Sequence, residues 1–152
     1  MMVLVGPKGV GKTTLGQYMA QHYDWRWQDT DQVMCDRLDI GDIRDAYQQL
    51  GEQAFRLLES EVIGTCLAKD LDILTLGGGA LACAATRQRL HHHCCVVLSM
   101  TTHQLWQRWQ NNSRLRTWLP GPQPWISFNA YLVKRQHDVA SVQVSLTLDA
   151  SK

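Results

Sequence analysis

The chain has 152 residues, 45% apolar and 19% charged, with a net charge of +1. That is one domain with room for a proper core, and its charge balance gives no broad basic field for nucleic acid or a membrane surface. No stretch is long and apolar enough to span a bilayer, and Met2 to Val5 is too short for a secretory signal.

Met2-Val3-Leu4-Val5 reads as a short buried strand. It runs into Gly6-Pro7-Lys8-Gly9-Val10-Gly11-Lys12-Thr13, a complete G-x-x-x-x-G-K-S/T phosphate loop. Thr14 to Tyr23 then has Leu15, Met19 and Tyr23 on one helical face. Strand, glycine loop and helix start are the parts a phosphate cradle needs. The loop N–H groups converge on phosphate oxygens, helped by the positive end of the helix. Lys12 is expected to reach the β- and γ-phosphates, and the Thr13 hydroxyl to ligate Mg²⁺.

Trp25 to Gln28 alternates apolar and polar residues and reads as a second strand. It ends at Asp29-Thr30-Asp31. Chemistry gathers at the carboxyl ends of strands in open α/β sheets. An aspartate here is equally suited to cap the next helix, and on these residues alone both roles stand. Asp42 to Lys69 has helical spacing interrupted at Gly51, and Arg56 and Glu59 share a face of it. Ile73 to Leu76 reads as a strand. Gly77-Gly78-Gly79 follows it, which implies close backbone approach or an unusual turn.

Ala84 to His91 reads as a helix and Cys94 to Met100 as a strand. His91-His92-His93 reads as a loop and Cys94-Cys95 as strand core, because contiguous ligands do not have the spacing of a zinc site. Five cysteines, odd in number and without a C-x-x-C pair, fit reduced thiols in the cytoplasm. Thr102 to Gln110 is helical and carries Arg108. Asn111 to Pro124 is a long loop with Arg114 and Arg116, the expected lid. Ser127 to Ala140 is helical, and Val142 to Leu148 is the last strand. This order predicts an α/β protein with a parallel sheet covered on both faces.

Together the motifs resemble shikimate kinase. They are G-P-K-G-V-G-K-T-T, D-T-D, G-E-Q-A-F-R-L-L-E and G-G-G after a strand, in that order, and the likeness runs from Leu4 to about Asp149. The resemblance implies a single P-loop kinase domain over residues 1–152, of the nucleoside monophosphate kinase group. Its architecture would be three-layer α/β/α, with a five-stranded parallel sheet in the order 2-3-1-4-5, a lid at about 111–125 and substrate-binding helices at about 33–60. It implies transfer of the γ-phosphoryl group of ATP to the 3-hydroxyl of shikimate with Mg²⁺, in a cytoplasmic monomer without nucleic-acid or membrane partners.

Residue by residue, the resemblance places Gly9, Val10, Gly11, Lys12, Thr13, Thr14, Arg108 and Arg116 at ATP. It makes Asp31, Lys12 and Arg116 catalytic, with Asp31 as the base, and gives the metal to Thr13 and Asp29. The acceptor falls to Asp31, Arg56, Glu59, Gly77, Gly78, Gly79 and Arg135, with Tyr47 and Phe55 as an apolar wall. The family's lid carries Arg-Pro. Here Arg116 is followed by Thr117, and Arg116 is preferred over Arg114 by its distance to Arg135. A tyrosine four residues beyond the second carboxylate arginine is replaced by Val139. The family's last helix would follow the point where this chain stops, so either the adenine pocket or the packing on one sheet face is expected to be less complete. Two other functions fit the phosphate loop: a kinase of the gluconate-directed kind, and a module that holds nucleotide without turning it over.

Overall fold

The computed structural model describes residues 1–119, 121–142 and 144–150. Pro120 of the expected lid, Gln143 of the expected last strand, and Ser151 and Lys152 at the end of the expected domain lie outside them. The elements are β1 (Met2–Val5), α1 (Lys12–Tyr23), β2 (Trp27–Asp29), α2 (Thr30–Leu38), α3 (Ile43–Leu67), β3 (Ile73–Thr75), α4 (Ala84–Leu90), β4 (Cys94–Ser99), α5 (Thr102–Asn111), α6 (Ser113–Arg116), α7 (Pro124–Ala140) and β5 (Val144–Asp149).

The strands form one sheet in the order β2-β3-β1-β4-β5, and every pairing is parallel. This is the expected α/β architecture. Successive side chains of a strand point to opposite faces, and both faces are covered. Val3 and Val5 enter one core with Leu74, Leu76, Cys95 and Val97, under α2 and α3. Leu4, Ile73, Val96 and Leu98 enter the other, with Leu105, Trp109, Phe128 and Leu132 of α5 and α7. That double burial explains why β1 reads as an unbroken apolar run. All strands point the same way, so the ends at Val5, Asp29, Thr75 and Ser99 open on one edge of the sheet.

Several expectations change. Tyr23 is 54% exposed rather than on the buried face with Leu15 and Met19; its ring packs on Trp25 instead. β2 begins at Trp27, because the Trp25 N–H closes the end of α1 on the Ala20 carbonyl at 3.0 Å. Only Cys95 is strand core; Cys94 is exposed at the strand's first position. The lid is not all loop. Asn112 accepts from the Leu115 N–H at 3.2 Å and caps the one-turn helix α6. α7 begins at Pro124 rather than Ser127, since proline suits the first turn of a helix. Trp125 therefore belongs to α7, where it packs on Trp106 with ring centroids 5.0 Å apart, and Trp118 is the lid's tryptophan. Gly51 interrupts α3 as expected, with φ 74°. No helix among the described residues is long and apolar enough to cross a membrane.

Candidate active site

The phosphate loop lies between β1 and α1. Gly9 and Gly11 have φ of 85° and 107°, where a side chain is strained, and Gly11 caps α1. Lys12 is the first residue of α1. Its ammonium donates to the Gly6 and Pro7 carbonyls at 2.9 and 3.0 Å. Burial pulls the amine down from 10.5 to about 8, with Asp31 and Asp29 opposing and Lys8 adding to the fall. The Trp109 indole N–H donates to the Lys8 carbonyl at 2.9 Å, which braces the loop from α5.

Asp29 does both things its sequence position allowed. Oδ1 accepts from the Asp31 N–H at 2.9 Å and caps α2, while Oδ2 accepts from the Thr13 hydroxyl at 2.7 Å. Burial raises this carboxyl above its usual range, the Asp31 charge adds to that, and the bonds from Thr13 and the Asp31 N–H oppose it. A hydroxyl and a carboxylate held together at the mouth of a phosphate loop are hard oxygen donors. They suit Mg²⁺, which commonly takes one or two protein oxygens beside substrate phosphates.

The three glycines after β3 are explained by close approach. None has a positive φ. A Cβ on Gly77 would strike the carboxylates of Asp31 and Glu59. One on Gly78 would meet the Lys8 backbone nitrogen at 2.7 Å, and one on Gly79 would strike the Arg56 guanidinium. The Gly77 N–H is already used, donating to the Thr30 hydroxyl at 3.0 Å.

Two clefts meet here. One, of about 770 Å³, is lined by the phosphate loop, Thr13, Thr14, Asp29 and Arg108. The other, of about 450 Å³, is lined by Tyr47, Phe55, Arg56, Glu59, Gly79 and Arg135. Lys8, Asp31 and Gly78 line both. In the first, Arg108 donates to the Val10 carbonyl at 3.3 Å. In the second, Arg56 pairs with Glu59 at 2.7 Å, and Arg135 donates to the Gly79 carbonyl at 3.2 Å. Burial raises the Glu59 carboxyl, and the Arg56 charge opposes the rise. Tyr47 and Phe55 meet edge to face at 5.2 Å, and Trp118 of the lid closes on Tyr47 at 5.8 Å.

One predicted residue stands apart. Arg116 lines neither of these clefts, because it lies at the last position of α6 with its side chain exposed. Arg114 lines a third basin with Thr13, Asp29 and Asp31.

Sequence reasoning gave no role to Lys8, Thr30, Tyr131 or Asp138. Lys8 reaches to 3.8 Å from Asp31 Oδ2 and lies 4.2 Å over the Trp118 ring. Tyr131 is half-buried on α7 and accepts from the Lys8 N–H at 2.7 Å. Its place four residues before Arg135 put it on the same helix face, a signal available in the sequence.

The sheet order and this loop define a small P-loop protein, with one cleft at the phosphate loop and a second one lined by Arg56 and Arg135. A shikimate kinase family model matches residues 8–150, and the chain belongs to the shikimate kinase family. Members of that family are ATP-using kinases that generally need a divalent metal.

The shikimate kinase of Rhodococcus jostii is 32% identical over 93% of this chain and 85% of its own length. That of Streptomyces coelicolor is 40% identical over 71% of this chain, but the match spans only 63% of that relative. The solved shikimate kinase of Acinetobacter baumannii in complex with shikimate superposes with a TM-score of 0.87 at 26% identity, covering 99% of this chain and 83% of that one.

Proposed function

We propose that this chain transfers the γ-phosphoryl group of ATP to the 3-hydroxyl of shikimate, giving shikimate 3-phosphate and ADP. The observation that carries this reading is the junction of the two clefts at Asp31, with phosphate-loop donors on one side and Arg56 and Arg135 on the other. The forked donors of two arginines match a carboxylate, which shikimate carries. The bound shikimate named for the Acinetobacter relative supports the same acceptor.

In this reading Asp31 orients the accepting hydroxyl and takes its proton as the oxygen attacks phosphorus. Lys12 leaves the Gly6 and Pro7 carbonyls for the phosphate oxygens and holds the charge they develop. The phosphate-loop N–H groups fix the β-phosphate, and Arg108 borders the nucleotide cleft. Thr13 and Asp29 would hold Mg²⁺, which supplies charge neutralisation at the phosphates. Tyr47, Phe55 and Trp118 keep water from the acceptor ring. A lid cation comes from α6. Arg116 is the residue the resemblance favours, and Arg114 is the one that faces Asp29 and Asp31 here. Alanine at each decides between them: the acting arginine loses kcat by about 10³, and the other stays within a few-fold.

The test is ADP release from MgATP with shikimate, with gluconate and a nucleoside monophosphate as controls. Release that requires shikimate is the expected result. ATP binding without release on any acceptor would overturn it in favour of a nucleotide-holding module. Asp31→Asn is expected to keep ATP binding and to lower transfer by about 10² to 10⁴.

A further inference from the structure

Two arginines flank Gly79, and each is backed by its own acid. On α3, Arg56 Nη1 lies 2.7 Å from Glu59 Oε2; on α7, Arg135 Nη1 lies 2.8 Å from Asp138 Oδ2. In both pairs the acid follows by three residues, on the same helix face. Both acids are withdrawn from water, with side chains 1% and 11% exposed. Arg135 is withdrawn as well, at 9%.

The placement of Asp138 is specific. It lies behind Arg135 with respect to the acceptor cleft, which it does not line. It borders instead a small internal void with Gly6, Gly77, Gly78 and Val139. Its Oδ2 is close to Nη1 but accepts no aligned hydrogen bond from any described residue. The contact is therefore one of charge, acting on a guanidinium that is already directed by its bond to the Gly79 carbonyl.

A buried guanidinium needs a counter-charge. Arg135 also faces other cations, since Arg56, Lys134 and Lys8 line the same cleft. The acids of that cleft are Asp31, Glu52 and Glu59, and Glu59 is already engaged by Arg56. An anion on its far side holds it in place without occupying the cleft.

We propose that Asp138 is a positioning residue for the acceptor: it holds the Arg135 guanidinium beside Gly79, so that Arg56 and Arg135 present their forked donors to a single substrate carboxylate. Glu59 and Asp138 then act as matched supports, one under each arginine. This rests on the shikimate reading, because shikimate supplies the carboxylate.

The test compares wild type, Asp138→Asn and Asp138→Glu with two acceptors, shikimate and its carboxamide. With shikimate, Asp138→Asn is expected to raise the acceptor KM about tenfold, leaving kcat and the KM for ATP within about twofold. Asp138→Glu, which restores the charge, recovers most of the loss. With the carboxamide, wild type and Asp138→Asn differ by less than about twofold. A merely structural aspartate would weaken both acceptors and ATP together, and that result overturns the proposal. So does an unchanged KM for shikimate. If Asp138→Asn does not fold, Asp138→Ser carries the same comparison with a smaller uncharged group. A wild type that does not phosphorylate shikimate strikes the proposed function and this inference together. An active wild type matched by Asp138→Asn strikes this inference alone.

Discussion

The Thr13 hydroxyl donates a hydrogen bond to Asp29 Oδ2 at 2.7 Å. This single contact joins the start of α1 to the end of β2, and so fixes the phosphate loop against the first acid of the D-T-D segment. The other oxygen of Asp29 caps α2. One side chain therefore serves both the metal-side reading and the helix start, and the two can be separated by mutation. Asp29→Asn keeps an acceptor for the cap and removes the charge. Its thermal stability is expected to stay within about 0.5 kcal/mol of wild type, while the Mg²⁺ needed for half-maximal activity rises about tenfold. Asp29→Ala loses the cap too and costs about 1 kcal/mol more. Melting curves and Mg²⁺ titrations of the two variants check this, and an unchanged Mg²⁺ requirement in Asp29→Asn would remove Asp29 from the metal site.

Lys12 gives a pH dependence. Burial lowers its amine from 10.5 to about 8 in the folded chain. Between those values the unfolded chain binds the proton that the folded one has released, so stability rises with pH across that window by at most about 1.4 kcal/mol per unit. The contribution is lost as pH falls through about 8. Tyr131, pushed up from 10.0 to about 12 by burial, acts between those values and so overlaps the Lys12 window only at its top. Lys12→Met should therefore flatten the rise in stability between pH 8 and 10. In the free protein, kcat/KM for ATP should decline above about pH 8 as the ammonium loses its charge. Chemical denaturation at several pH values and initial rates at low ATP measure the two effects.

Gly78 and Gly79 should differ when changed to alanine. At Gly78 the new methyl meets the Lys8 backbone, which cannot yield without moving the phosphate loop. A cost of about 1 to 3 kcal/mol and weaker ATP binding are expected. At Gly79 it meets the end of the Arg56 side chain, which can swing away. Stability should hardly change there, and the KM for shikimate should rise without a change in that for ATP. Equal effects on both substrates at Gly79 would count against Arg56 as an acceptor residue.

Tyr131→Phe removes a hydroxyl that accepts from the Lys8 N–H at 2.7 Å and leaves that N–H without this partner. A loss of about 1 to 2 kcal/mol is expected, together with weaker nucleotide binding, because the same bond holds the phosphate loop to α7. Denaturant titration and ATP affinity read the two effects, and a variant as stable as wild type would show the bond to be dispensable.

The phosphate loop was legible because its demands are local. Gly9 and Gly11 take backbone angles that other residues resist, and the apolar run before them is what a strand buried on both faces requires. The interruption at Gly51 was legible for the same reason. The lid was less so: the capped turn of α6 hides in a stretch rich in loop-forming residues, and Pro124 reads equally as a breaker or as a helix start.

The sequence by itself determined the order of the strands and of the helices other than α6, the glycine positions, the i,i+3 spacing of Arg56 and Glu59 and, through its combined motifs, the family. Each depends on neighbours within a few residues, or on the spacing between short motifs. Only the tertiary structure decided that Asp29 caps a helix and holds Thr13 at once, that Gly77 to Gly79 are small because Asp31, Lys8 and Arg56 crowd them, and that Tyr131 reaches a loop 123 residues away. Those facts depend on how α7, β3 and the phosphate loop pack across the sheet edge. That packing is set by the whole core, and no local stretch encodes it.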